Sequence, residues 1–159
     1  MLAIFAKLGK MNKIPYEFNV YGPPNGFHFE VDGDISKYHG PLSREGAISA
    51  VKLADILVNV ENTNCVMTPS KVVEYVATGK PIINIMADLG STPLLRSLSA
   101  DRCLNIRHDA SVDEAARLIE VFLEEYSRQN KGASKEYIRE RDLVFQSGYL
   151  LDQIRASQL

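Results

Sequence analysis

The chain has 159 residues, 45% of them apolar, and a formal charge of −2 at neutral pH. That is one domain of ordinary size with enough apolar material for a core. A slightly acidic balance with scattered basic residues excludes a sequence-independent nucleic-acid binder and a polybasic membrane segment, and no apolar stretch reaches the roughly 18–20 residues that a membrane span needs.

In chain order, Leu2 to Leu8 reads as the end of a helix, and the N-terminus lacks a signal peptide's order of charge, apolar run and cleavage site. Pro15 to Tyr21 reads as a strand through Tyr16, Phe18 and Val20, closed by Gly22-Pro23-Pro24-Asn25-Gly26. Phe27, Phe29 and Val31 alternate as a strand entering an Asp32-Gly33-Asp34 turn. Ile35 to His39 is a short strand ended by Gly40-Pro41, and Ser43 caps a helix to about Leu53 with Ala47, Ile48, Val51 and Ala54 inward. Asp55 to Val60 is nearly continuously apolar, as in a strand buried on both faces.

A short helix with a clear start and stop follows. Thr68 suits the N-cap, Pro69 the first helical position, and Gly79 the left-handed closing residue, with Pro81 unable to continue. Pro81 to Met86 is a strand, Thr92-Pro93 repeats the cap-plus-proline start for a helix through Leu98, and Cys103 to Ile106 is another strand. Ser111 and Glu114 form a capping box for a long amphipathic helix, its inner face Ala115, Leu118, Ile119, Phe122 and Tyr126. Asn130 to Ala133 is a linker, and Ser134 starts a last helical stretch that bends near Ser147-Gly148, with Tyr137 and Phe145 as core. About five strands alternating with helices predict an α/β class with a Rossmann-like parallel β-sheet and flanking helices. Ligands of such sheets bind beyond the carboxyl ends of strands, which directs attention to the loops after Val20, His39 and Val60.

Chemistry enters on the helix that follows Pro69. Val72, Val73, Val76 and Ala77 share one face, and Lys71, Glu74 and Thr78 share the other. A helix start carries free N–H groups and partial positive charge, so it attracts anions. Lys71 in the first turn is electrostatically misplaced unless an anion is present too, and a phosphate resolves the conflict. Glu74, one turn on, can accept hydrogen bonds from two neighbouring hydroxyls, as on a ribose. A solvated face with a Lys–Glu (i, i+3) pair is the plain alternative.

Three segments, Ala54 to Val60, Pro69 to Tyr75 and Thr78 to Ile83, taken in order, closely resemble the C-terminal domain of GT-B glycosyltransferases. The branch resembled is the retaining, nucleotide-sugar-dependent one that builds bacterial polysaccharides. The resemblance implies the C-terminal, donor-binding half of a GT-B fold, lacking its first strand and the N-terminal acceptor domain, and inactive alone. It implies that Glu74 binds the ribose, that Ser70, Lys71 and the helix N–H groups hold the diphosphate, and that Thr68 and Pro69 line the donor site. The Gly40-Pro41-Leu42 turn matches the place where relatives contact the base through main-chain groups. The donor is a UDP- or GDP-sugar, the acceptor of the full enzyme a glycan or a lipid-linked sugar, and no cofactor or bound divalent ion is expected. Many relatives place a glutamate eight positions before the ribose-binding one, where this chain has Val66, and the polar loop Glu61 to Cys65 is a substitute source of sugar contacts.

The remaining motifs carry less. Asp32-Gly33-Asp34 has the form of an Asp-x-Asp metal motif, but Asp-Gly is a common turn. His28, His39 and His108 stand apart from partners at ligand or triad spacing, and Cys65 has no base beside it. Cys65 and Cys103 give no disulfide framework, which predicts a reduced cytoplasmic setting, and the resemblance implies a full-length enzyme peripheral to the inner membrane. An isolated half with exposed apolar surface is expected to self-associate. The competing readings are a noncatalytic Rossmann-like assembly or regulatory module, then a dinucleotide oxidoreductase domain, which lacks its Gly-rich turn. A receiver-like signalling domain lacks its acidic pocket.

Overall fold

A computed structural model of the protein describes residues 2–11, 16–24, 36–61, 70–86 and 92–130. Along them run α1 (Leu2–Met11), β1 (Phe18–Val20), β2 (Ser36–Tyr38), α2 (Arg44–Leu53) and β3 (Leu57–Val60). Then come α3 (Ser70–Ala77), β4 (Ile82–Met86), α4 (Pro93–Arg96), β5 (Cys103–Arg107) and α5 (Val112–Asn130). Every strand pairing among the described residues is parallel: β1 with β2 in one sheet, β3 with β4 with β5 in another. The class is therefore α/β, with short parallel strands in two sheets and flanking helices, consistent with a Rossmann-like arrangement. The chain divides into two compact units, Met1–Ala54 with Asp109–Glu125, and Asp55–His108 with Tyr126–Leu159.

In the first unit Phe5 of α1 lies flat on Phe18 of β1, ring centroids 3.8 Å apart and planes 7° from parallel. Leu8 is buried with them, and the Tyr16 hydroxyl donates to the Phe5 carbonyl. The β1–β2 pair is short and tied off at its carboxyl end. The His39 N–H donates to the Val20 carbonyl and the Gly22 N–H to the Gly40 carbonyl, at 2.9 and 2.8 Å. Gly40 takes φ +73°, which closes the strand as its glycine predicts. Ser43 caps α2 through its Oγ, which accepts the Gly46 N–H at 3.1 Å.

Two inward faces differ from expectation. α2 has no buried residue: Ala47 is exposed and Ile48 is 48% exposed, while Gly46, Ala50, Val51 and Ala54 form a half-buried face. That face is made mostly of small residues, and on the 3.6-residue period Ile48 falls beyond its edge. In α5, Leu118 is exposed and Ala116 is fully buried. On the 3.6-residue period Ala115, Ala116, Ile119, Glu120 and Phe122 form one arc, and Leu118 falls beyond its edge. The Ser111 cap holds, its Oγ accepting the Glu114 N–H at 3.2 Å.

In the second unit the strand buried on both faces is β4, where Ile82, Ile83 and Asn84 are each at most 2% exposed. The sequence predicts that role for β3, but among the described residues β3 pairs with β4 alone. It buries Leu57 and Asn59, half-buries Val58 and leaves Val60 exposed. Val72 and Val76 of α3, Leu95 of α4 and Ile106 of β5 complete the core. α3 stops at Gly79, whose φ is +72° and whose N–H donates to the Val76 carbonyl. α4 ends at Arg96, short of the expected Leu98. Ser97 turns back there, its hydroxyl donating to the Leu94 carbonyl at 2.7 Å.

Candidate functional site

α3 sits between two paired parallel strands, β3 and β4, and shows the face that the sequence assigns to a ligand. Val72 and Val76 are buried, and Val73 and Ala77 half-buried beside them. Lys71 and Glu74 are exposed on the opposite side, and among the described residues no ion pair joins them. A cation and a carboxylate one turn apart are thus available to a third party. Burial, and then the Glu74 charge beside it, push the Tyr75 phenol above its ordinary range. Thr78 leaves the predicted stripe. It is half-buried, its hydroxyl donates to the Tyr75 carbonyl at 2.6 Å, and its oxygen accepts the Lys80 N–H at 3.2 Å, so it serves the helix end. Ser70 opens the helix; Thr68 and Pro69 lie outside the described residues.

The other predicted patch is the turn after β2. Gly40, Pro41 and Leu42 lead directly to the Ser43 cap, with Pro41 and Leu42 exposed. The Gly40 carbonyl is committed to the Gly22 N–H, and the Tyr38 hydroxyl donates to the Gly22 carbonyl at 2.6 Å. Tyr21 stacks on His39 with centroids 4.6 Å apart and planes 16° from parallel. A His39 ring nitrogen also meets the Asn19 amide oxygen, so this histidine, isolated in sequence, has partners in space. Gly40, Pro41 and Leu42 belong to the first compact unit, and Ser70, Lys71 and Glu74 to the second.

A polar row inside the second unit has no counterpart in the sequence reading. Asn59, Asn84 and Asn105 stand at matched register on β3, β4 and β5. The Asn59 amide donates to Asn84 Oδ1 at 2.7 Å, and the Asn84 amide donates to Asn105 Oδ1 at 2.9 Å. The row leads to Glu61, just past the carboxyl end of β3, which is 8% exposed. Its Oε1 accepts the Thr92 N–H at 2.8 Å and the Asn84 amide at 3.4 Å. Asparagine is common in turns, and nothing in the local sequence separates a buried cross-strand amide from a loop one. Equal placement of asparagine in three successive strand patterns is the signal that was present. Glu61, expected in a loop that supplies sugar contacts, has Oε1 engaged by the protein itself. Cys103 lies in the same neighbourhood. Burial foremost, then the Glu61 charge, push its thiol up to about 11 against an opposing hydrogen bond with Asn105.

Among the described residues no group of three or more His, Cys, Asp or Glu side chains is placed to hold a metal ion, and no helix is long and apolar enough to cross a membrane. The Asp32-Gly33-Asp34 turn with the strand before it, His28, Cys65, Val66, the linker 131–133 and the predicted final helix with Tyr137 and Phe145 lie outside the described residues. The chain matches no protein-family model, no curated protein and no solved structure. What fold and site define together is a class: an α/β protein whose parallel strands carry an exposed Lys–Glu helix face.

Proposed function

We propose that this chain is the donor-nucleotide-binding part of a retaining, nucleotide-sugar-dependent glycosyltransferase of the GT-B kind. The observation that carries the reading is the α3 face. Lys71 and Glu74 are exposed one turn apart over buried Val72 and Val76, neither neutralised by the other. Lys71 and the N–H groups at the start of α3 take the diphosphate, and Glu74 takes the ribose hydroxyls. The leaving group of such a transfer is a nucleoside diphosphate, so its developing charge is what the site must stabilise. A helix start and a lysine do that by electrostatics already in position. The acceptor is a glycan or a lipid-linked sugar.

Calorimetric titration with UDP, GDP and ADP tests this. One nucleotide is expected to bind saturably. Glu74→Ala removes charge-assisted hydrogen bonds worth about 1.5–3 kcal/mol, so it weakens binding roughly ten- to a hundredfold. Absence of binding by all three nucleotides overturns the reading in favour of a noncatalytic module.

A further inference from the structure

Glu61 is a buried carboxylate in the unit that also carries Lys71 and Glu74. Thr92, whose N–H it accepts at 2.8 Å, is the residue before α4. The Thr92 side chain makes no capping bond, and Pro93, next in line, has no N–H to give. The start of α4 is therefore tied to the end of a different element, β3, across 31 residues of sequence. The Asn84 amide donates to the same oxygen at 3.4 Å, and Asn84 is oriented in turn by Asn59 and Asn105. α4 packs against α3. A buried charge is costly to desolvate, and the return on it is a stronger, shorter bond to a main-chain N–H than a neutral acceptor makes.

We propose that Glu61 is a positioning residue for the nucleotide site. By fixing the start of α4, which packs against α3, it holds the Lys71–Glu74 face in its binding geometry. The proposal rests on the nucleotide reading of α3. It assigns Glu61 a role through Thr92 and Asn84, which engage its Oε1, rather than through the ligand.

The test follows two quantities on the full chain: amide exchange at Thr92, and affinity for UDP, GDP and ADP by titration. In Glu61→Ala, exchange at Thr92 is expected to accelerate tenfold or more while the amides of β4 stay protected. Affinity for the bound nucleotide falls about three- to thirtyfold, the range found for residues that act on a site without touching its ligand. Glu61→Gln keeps an oxygen acceptor of the same reach and is expected to restore both within about threefold. If Glu61→Ala fails to fold, Glu61→Asp replaces it, keeping the charge but shortening the reach. Loss of affinity with Asp and not with Gln supports positioning. Wild-type binding that survives unchanged in the Ala or Asp variants, with Thr92 exchange accelerated, overturns the positioning role and leaves the nucleotide reading intact. A wild-type chain that binds none of the three nucleotides overturns both.

Discussion

Cys103 shows how far the interior of the second unit alters the chemistry of one side chain. Its thiol is pushed from an ordinary 9.0 up to about 11 by burial first and the Glu61 charge second. The folded state thus holds its proton where the unfolded chain releases it. The resulting contribution to stability is whole below pH 9.0 and is lost as pH rises through about 11. A thiol kept protonated is also a poor nucleophile. Under native conditions at pH 8, Cys103 is expected to resist a thiol reagent and to react only at the rate of unfolding, which stopped-flow labelling with and without urea measures. Asn84 is the other decisive residue. Asn84→Leu removes the acceptor for the buried Asn59 amide, the donor for Asn105 and one of the donors to Glu61. The expected cost is about 2–4 kcal/mol in a urea titration, well above that of an apolar exchange of similar size. The two residues that carry the functional reading, Lys71 and Glu74, were legible because helical spacing places them together. The asparagine row was not, because each member's partner lies at least 21 residues away.

At the scale of elements, most helix ends were legible, since a cap is decided within four or five residues; α4 is the exception, with no side-chain cap from Thr92 and an end short of Leu98. Gly79 at φ +72° is the clearest case. Gly79→Ala forces a β-carbon into the left-handed region and is expected to cost about 1–2 kcal/mol, read as a lower thermal midpoint. Helix faces were less legible. Periodicity identifies an apolar arc, but what lies against the helix decides which part of the arc is covered. In α5 that difference is testable. Ile119 is fully buried, so Ile119→Ala is expected to lose about 2–5 kcal/mol. Leu118 is 41% exposed, and Leu118→Ala is expected to change stability by less than about 1 kcal/mol in the same chemical denaturation series. β3 illustrates the same limit. An apolar run announces a strand, but whether it is central or at an edge depends on which strands pair beside it, and that is settled by segments far along the chain.

For the molecule as a whole, ligand and fold are linked by mass action. A nucleotide that binds only the native chain stabilises it by about 2.7 kcal/mol at one hundred times its dissociation constant. Glu74→Ala, weakening the complex tenfold or more, is expected to remove at least about 1.3 kcal/mol of that gain at the same concentration, visible as a smaller thermal shift. Charge interactions at Lys71 make the shift salt-dependent as well. The α/β class was legible from the alternation of patterns alone. The division into two compact units was not, because the units interleave in sequence, each drawing on two separate segments.

The asparagine row also constrains how this sequence can vary. In a parallel sheet of valines and isoleucines, sliding one strand by two positions keeps every side chain on its original face and costs little in apolar contact. Here such a slide would strand three amides opposite hydrocarbon, so Asn59, Asn84 and Asn105 act as a vernier that admits one alignment of β3, β4 and β5. A change at one of them is penalised until its neighbours change too, whereas replacing all partners by apolar residues of similar shape is close to neutral. The three positions should therefore be inherited as a block, lost together or kept together, in any lineage that carries this sheet.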